Sequence, residues 1–156
     1  MDLPTIARAL HVLGVVVWIG GVGFVTLVLV PALRRSVPAG ERLTLFEVME
    51  GRFATLARFS TLLVGATGLW MAWTYDLWAG FIDPARWWLA AMVLVWAIFT
   101  LMLFVLEPFV LHRRFHARAA RDPEGTFALI QRVHAVLLAL SLLTVAAAVL
   151  GVHGGL

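Results

Sequence analysis

Cysteine is absent from the 156 residues, which excludes disulfides, thiolate zinc sites, iron–sulfur clusters and a cysteine nucleophile in one step. Any metal must be held by histidine, methionine or carboxylate. Lysine is absent too: all 12 basic residues are arginines, so the pI near 11.0 reflects arginine's fixed charge, the net charge being only +3. That balance implies no nucleic-acid partner. Charge of either sign is scarce. Only 13% of the residues are charged, where a soluble domain of this size carries about a quarter, and 62% are hydrophobic. Such a composition belongs in a lipid bilayer. Spans of roughly 20 residues each leave room for little beyond overhangs and short connections, which excludes an extramembranous catalytic domain.

The fold expected is all-α, an integral membrane antiparallel four-helix bundle. It forms one transmembrane domain over residues 1–156, with spans at about 5–33, 53–76, 85–111 and 130–152. The first apolar run, 10–33, is too long and continuous for a signal peptide, and Asp2 and Arg8 stand where a basic leader would begin. A retained span is expected there. Pro4 suits a first helical turn, and Pro31 should kink the far end by freeing the carbonyl of Leu27. Pro38 and Gly40 read as breakers in a polar connection. Span two rises from an amphipathic start, with Leu43, Phe46, Met49, Phe53 and Leu56 at helical spacing among charged residues. Asp83-Pro84 and Asp122-Pro123 both read as an N-cap followed by proline at the first helical position.

Orientation follows from the arginines. The first and last connections and their flanks carry Arg34, Arg35, Arg42, Arg52, Arg58, Arg113, Arg114, Arg118, Arg121 and Arg132, whereas the opposite side carries Arg8 and Arg86. Positive charge collects on the cytoplasmic side, so both termini are expected outside. Trp70, Trp73, Trp78, Trp87 and Trp88 fall at the outer interface, as an aromatic belt does.

Depth can be reckoned at about 1.5 Å per residue from the middle of each apolar run. His11 and His153 then lie near the outer edge of the hydrocarbon, with Arg8 on the same helix face as His11. Met71 and Met92 add thioether sulfur to the outer half. At the inner edge Arg58, Glu107 and His134 share one depth, and intramembrane charges turn inward and pair. Arg58 with Glu107 is the obvious couple. Competing with any site are plainer roles: a structural ion pair for Arg58 and Glu107, a solvated basic face for His112 and His116, a hydrogen-bonded imidazole for His11 and His153, packing for the methionines. Glycines 14, 20, 21, 23, 65 and 68 would let helices approach closely.

His11-Val12-Leu13-Gly14, Trp18-Ile19-Gly20-Gly21 and Pro31-Ala32-Leu33-Arg34-Arg35 resemble the copper resistance protein D (CopD) family of bacterial inner-membrane proteins. Arg58-Phe59-Ser60, Thr67-Gly68-Leu69, His134-Ala135-Val136-Leu137-Leu138 and Gly151-Val152-His153-Gly154 extend the likeness to short members of that group. CopD-like proteins are similar in turn to the membrane haem-pathway oxidase HemJ, whose first span carries a histidine implicated in haem binding. By that resemblance His11 inherits the role, copper handling is implied by the family and haem by analogy.

Two functions of different class follow. One is a redox module holding haem b near the outer face, with His11 and His153 as axial ligands and Arg8 or Arg86 on the propionates. Its partners would be a redox protein or quinone, and it could act as a haem-dependent membrane oxidoreductase. The other is a copper-binding or transport accessory protein using His11, His153, Met71 and Met92. A ligand-free structural subunit, alone or as a homo-oligomer, is the third alternative. A relay of two haems is disfavoured, since His134 and His153 lie about 100° apart around one helix.

Overall fold

Prolines mark where the helices of this chain begin and where they change register. The computed structural model describes residues 2–154, with the side chains of 110–113 left out, and is all-helical apart from short turns. Helix α1 (Leu3–Phe24) has Pro4 in its first turn. It runs without a break into a π-helical stretch, Val25–Leu29, and then into α2 (Val30–Ser36). Pro31 is the second residue of α2, directly after the π-helical stretch. Ahead of it the chain widens to hydrogen bonds five residues apart, Val30 N–H reaching Val25 O.

Only Val37 and Pro38 separate α2 from the 36-residue α3 (Ala39–Thr74), so Gly40 lies inside a helix and breaks nothing. Arg42 ties this reversal together. Its guanidinium donates to Val37 O at 2.8 Å and Arg34 O at 3.0 Å, covering carbonyls at the end of α2, and pairs with Glu124 at 2.5 Å.

After α3 come two 3-10 turns, Trp78–Phe81 and Pro84–Arg86, the second begun by Asp83 accepting from Ala85 N–H at 2.9 Å. Helix α4 (Trp87–Leu101) passes into a second π-helical stretch, Met102–Leu111, that contains Pro108, and then into α5 (His112–Ala119). Helix α6 (Pro123–Val152) closes the chain. Its first turn is capped by the Asp122 carboxylate, which accepts from Gly125 N–H at 2.8 Å. Asp122→Ala is expected to cost about 1 kcal/mol, read as a lower midpoint of thermal unfolding in detergent.

Helices α1 and α3 pack antiparallel: His11 meets Thr67, Gly14 meets Val64 and Gly21 meets Phe53. Helices α4 and α6 do the same, with Trp88 covering Gly151. Two apolar cores result. One, at the arginine-rich end, joins Val25, Val30, Leu43, Phe46, Phe127 and Ile130. The other joins Trp18, Ile19, Val22, Val64, Phe99 and Leu138, with the Trp18 and Phe99 rings edge to face at 4.8 Å. Phe53 packs against both.

Among the described residues three helical runs are long and apolar enough to cross a membrane: Leu3–Ser36, Pro84–Phe109 and Pro123–Val152. The remaining expected span, 53–76, falls within α3, which is not among them; Arg58 and several glycine, serine and threonine residues dilute its apolar side chains. Leu13, Leu27, Leu69, Leu94, Leu143 and Val152 all expose more than half their surface. Water would penalise so large an apolar exterior, whereas lipid chains accept it.

Candidate functional site

His11 is half-buried and faces α3, its Nδ1 lying 3.0 Å from Thr67 Oγ1. The Thr67 hydroxyl has one proton, and its oxygen sits 2.6 Å from Leu63 O and 3.2 Å from Val64 O. Carbonyls only accept, so that proton is directed back along α3. The threonine oxygen must then accept from His11, which places a proton on Nδ1. In the neutral ring the lone pair is then left on Nε2, and the ring also lies within hydrogen-bond reach of the Val64 backbone. Gly68 makes room for the ring: a Cβ there would stand 3.2 Å from His11 Cε1.

His153 is exposed just past the end of α6, with Nδ1 2.8 Å from Val149 O. The same reasoning protonates Nδ1 and leaves Nε2 open. Arg8 holds Tyr75, through a 3.2 Å hydrogen bond to its hydroxyl and a guanidinium 5.8 Å from the ring centre. Arg86 is turned to Asp83 at 3.2 Å. Met71 on α3 and Met92 on α4 are half-buried. Among the described residues no hydrogen bond or ring contact joins His11 to His153, and no three His, Asp or Glu side chains are gathered as a metal cage.

A second polar group lies toward the arginine-rich end. Arg58 Nη2 is 3.0 Å from Glu107 Oε1, and Arg58 Nε donates to Leu103 O at 3.1 Å. The second contact has a local cause. Leu103 O would receive the amide five residues on in a π-helix, and that residue is Pro108, which has none. Arg58 thus serves a carboxylate and a carbonyl orphaned by proline.

His134 does not join this couple directly. Its Nε2 is 3.4 Å from Glu50 Oε1 on α3, and its Nδ1 is 3.0 Å from Ile130 O. Glu50 is the residue that depth arithmetic missed. A signal existed: Leu43, Phe46, Ala54, Ala57, Thr61 and Val64 are buried at steps of three or four, and Glu50 fills the gap in that stripe. Further out, His116 Nε2 meets Glu47 Oε2 at 2.9 Å. The side chain of His112 lies outside the described residues.

No protein-family model, curated protein or solved structure matches this chain. Its described residues are all-helical apart from short turns, with three helical runs suited to a membrane and a polar group toward each end.

Proposed function

We propose that the chain is a CopD-like antiparallel four-helix bundle of a bacterial inner membrane, both termini outside, that holds haem b near its outer end as an electron-transfer module. The single observation carrying this reading is the anchored His11 ring, whose Nδ1–H is taken by Thr67 and whose Nε2 is left with its lone pair. Metal-binding histidines typically take this form, the second nitrogen held by a hydrogen bond that sets tautomer and angle. On donor chemistry His11 fits the group. His153, with the same Nδ1 arrangement, is the candidate second ligand, and Arg8 the candidate propionate partner on exchanging Tyr75 for it. When bound, the haem iron supplies one-electron exchange. The packing of α3 along α1 supports counting α3 as the fourth span, its outer part lying beside the apolar α1.

The visible spectrum of detergent-purified protein, after haem supplementation, tests this. A Soret band is expected in the wild type, lost or displaced in His11→Ala. Thr67→Val should keep the band while weakening haem retention by about 10- to 100-fold, the usual cost of losing the partner that orients a ligand. Absence of the band, or a His11→Ala protein with unchanged spectrum and occupancy, overturns the proposal. Stoichiometric copper without haem would point to the copper-accessory reading, with Met71 and Met92 as the further ligands to examine.

A further inference from the structure

The imidazoles and carboxylates at the arginine-rich end form an ordered series that the haem proposal leaves unused. His134 lies deepest, its side chain 19% exposed, with the Phe46 ring edge-on at 5.7 Å. Ile130 O can only accept, so His134 Nδ1 carries a proton. Between His134 Nε2 and Glu50 Oε1, 3.4 Å apart, one further proton makes the pair neutral, as imidazolium with carboxylate or imidazole with carboxylic acid. One turn back along α3, Glu47 projects beside Glu50 and binds His116 of α5 at 2.9 Å. Glu50 and Glu47 are about equally open, at 28% and 25%, and His116 at the far end is 48% exposed. Among the described residues the other charged groups around the pair are Glu107 of the π-helical stretch, close enough to interact electrostatically with Glu50, and Arg58, which neutralises Glu107 at 3.0 Å. Arg34 of α2 reaches α6 at Gln131, one turn from His134, at 2.7 Å.

We infer that Glu50 and His134 form a proton-binding site within the bundle, and that Glu47 and His116 connect it to the aqueous phase at the arginine-rich end. A proton taken from water by the Glu47–His116 pair passes to Glu50 and then to the Glu50–His134 pair, and release reverses the route. Side chains at i and i+3 on one helix have Cβ atoms about 5–6 Å apart, which one bridging water spans. No step requires a ligand at His11, so the site stands or falls apart from the haem proposal.

The test uses the full chain in lipid nanodiscs, with labelled histidine nitrogens followed by NMR and glutamate carboxyls by infrared difference spectroscopy, from about pH 5 to 9. In the unmodified protein the His134 and Glu50 signals should change together in one step, because the proton is shared. Glu50→Gln should abolish the carboxyl band and displace the His134 midpoint by a pH unit or more, whereas Glu107→Gln should leave the band in place. Glu47→Gln should slow proton uptake, read by a pH dye after a rapid pH jump, about tenfold without moving the His134 midpoint. Independent titration of the two groups in the unmodified protein, or uptake unchanged in Glu47→Gln, overturns the inference.

Discussion

Replacing Arg58 with methionine is expected to destabilise the protein by about 3 kcal/mol, the low end of the range for breaking a buried ion pair. The low end applies because the Arg58 and Glu107 side chains keep 34% and 33% of their surface open. Two groups lose a partner at once: the Glu107 carboxylate and Leu103 O, whose backbone donor is missing at Pro108. These contributions separate in a second background. Pro108→Ala restores an amide that can serve the Leu103 carbonyl, so Arg58→Met should cost about 1 kcal/mol less there than in the wild type. Adding Glu107→Gln to Arg58→Met removes the uncompensated charge and should recover much of the remainder. Thermal unfolding in one detergent, over the four variants and wild type, checks all of this. A loss below about 1 kcal/mol for Arg58→Met would mean that the pair behaves as a surface salt bridge.

That couple also shows what the amino-acid sequence can disclose. Position along a helix axis follows from counting residues, which sets Arg58 and Glu107 at one depth, and in the structure the two are in contact. Rotation about the axis is harder to read. Met49 and Leu56, placed on the apolar face of α3 by their spacing, are about half exposed, while Ala54 and Ala57 are buried. In lipid both faces of a helix are apolar, so the hydrophobic pattern no longer distinguishes inside from outside, and small residues mark the packed face instead. Glu50 sits on that packed stripe, between Phe46 and Ala54, where spacing alone equally allows the stripe through Met49 and Leu56. The prolines were legible as disturbances and illegible in kind: Pro31 and Pro108 both lie in or next to π-helical stretches, a register set by tertiary packing as much as by the missing amide. At the outer end, the depth of His11 could be counted from sequence. That its ring closes on Thr67 and Gly68 depends on how α1 is turned toward α3, which only the packed pair decides.

Gly21→Ala is expected to destabilise the protein by about 2–3 kcal/mol, near the upper range for overpacking a filled interior. A Cβ at this position would overlap the Phe53 ring, so the ring must move or α1 must separate from α3. Neither adjustment is easy. Phe53 is the side chain that touches both apolar cores, packing on one side against the group of Val25, Phe46 and Phe127 and on the other against Trp18, Val64 and Phe99. Its displacement would disturb both. The adjacent glycine supplies the control: a Cβ at Gly20 meets nothing within 4 Å, so Gly20→Ala should be neutral or stabilising by up to about 1 kcal/mol through helix propensity. The same methyl group, one residue apart, is thus expected to act with opposite sign. If the loss at Gly21 arises from the ring, Phe53→Leu combined with Gly21→Ala should be less damaging than the two separate losses added together, since the shorter side chain vacates the space the methyl needs. Strict additivity of the two in thermal unfolding, or a Gly21→Ala protein as stable as Gly20→Ala, would show that α1 and α3 do not close on each other through this contact.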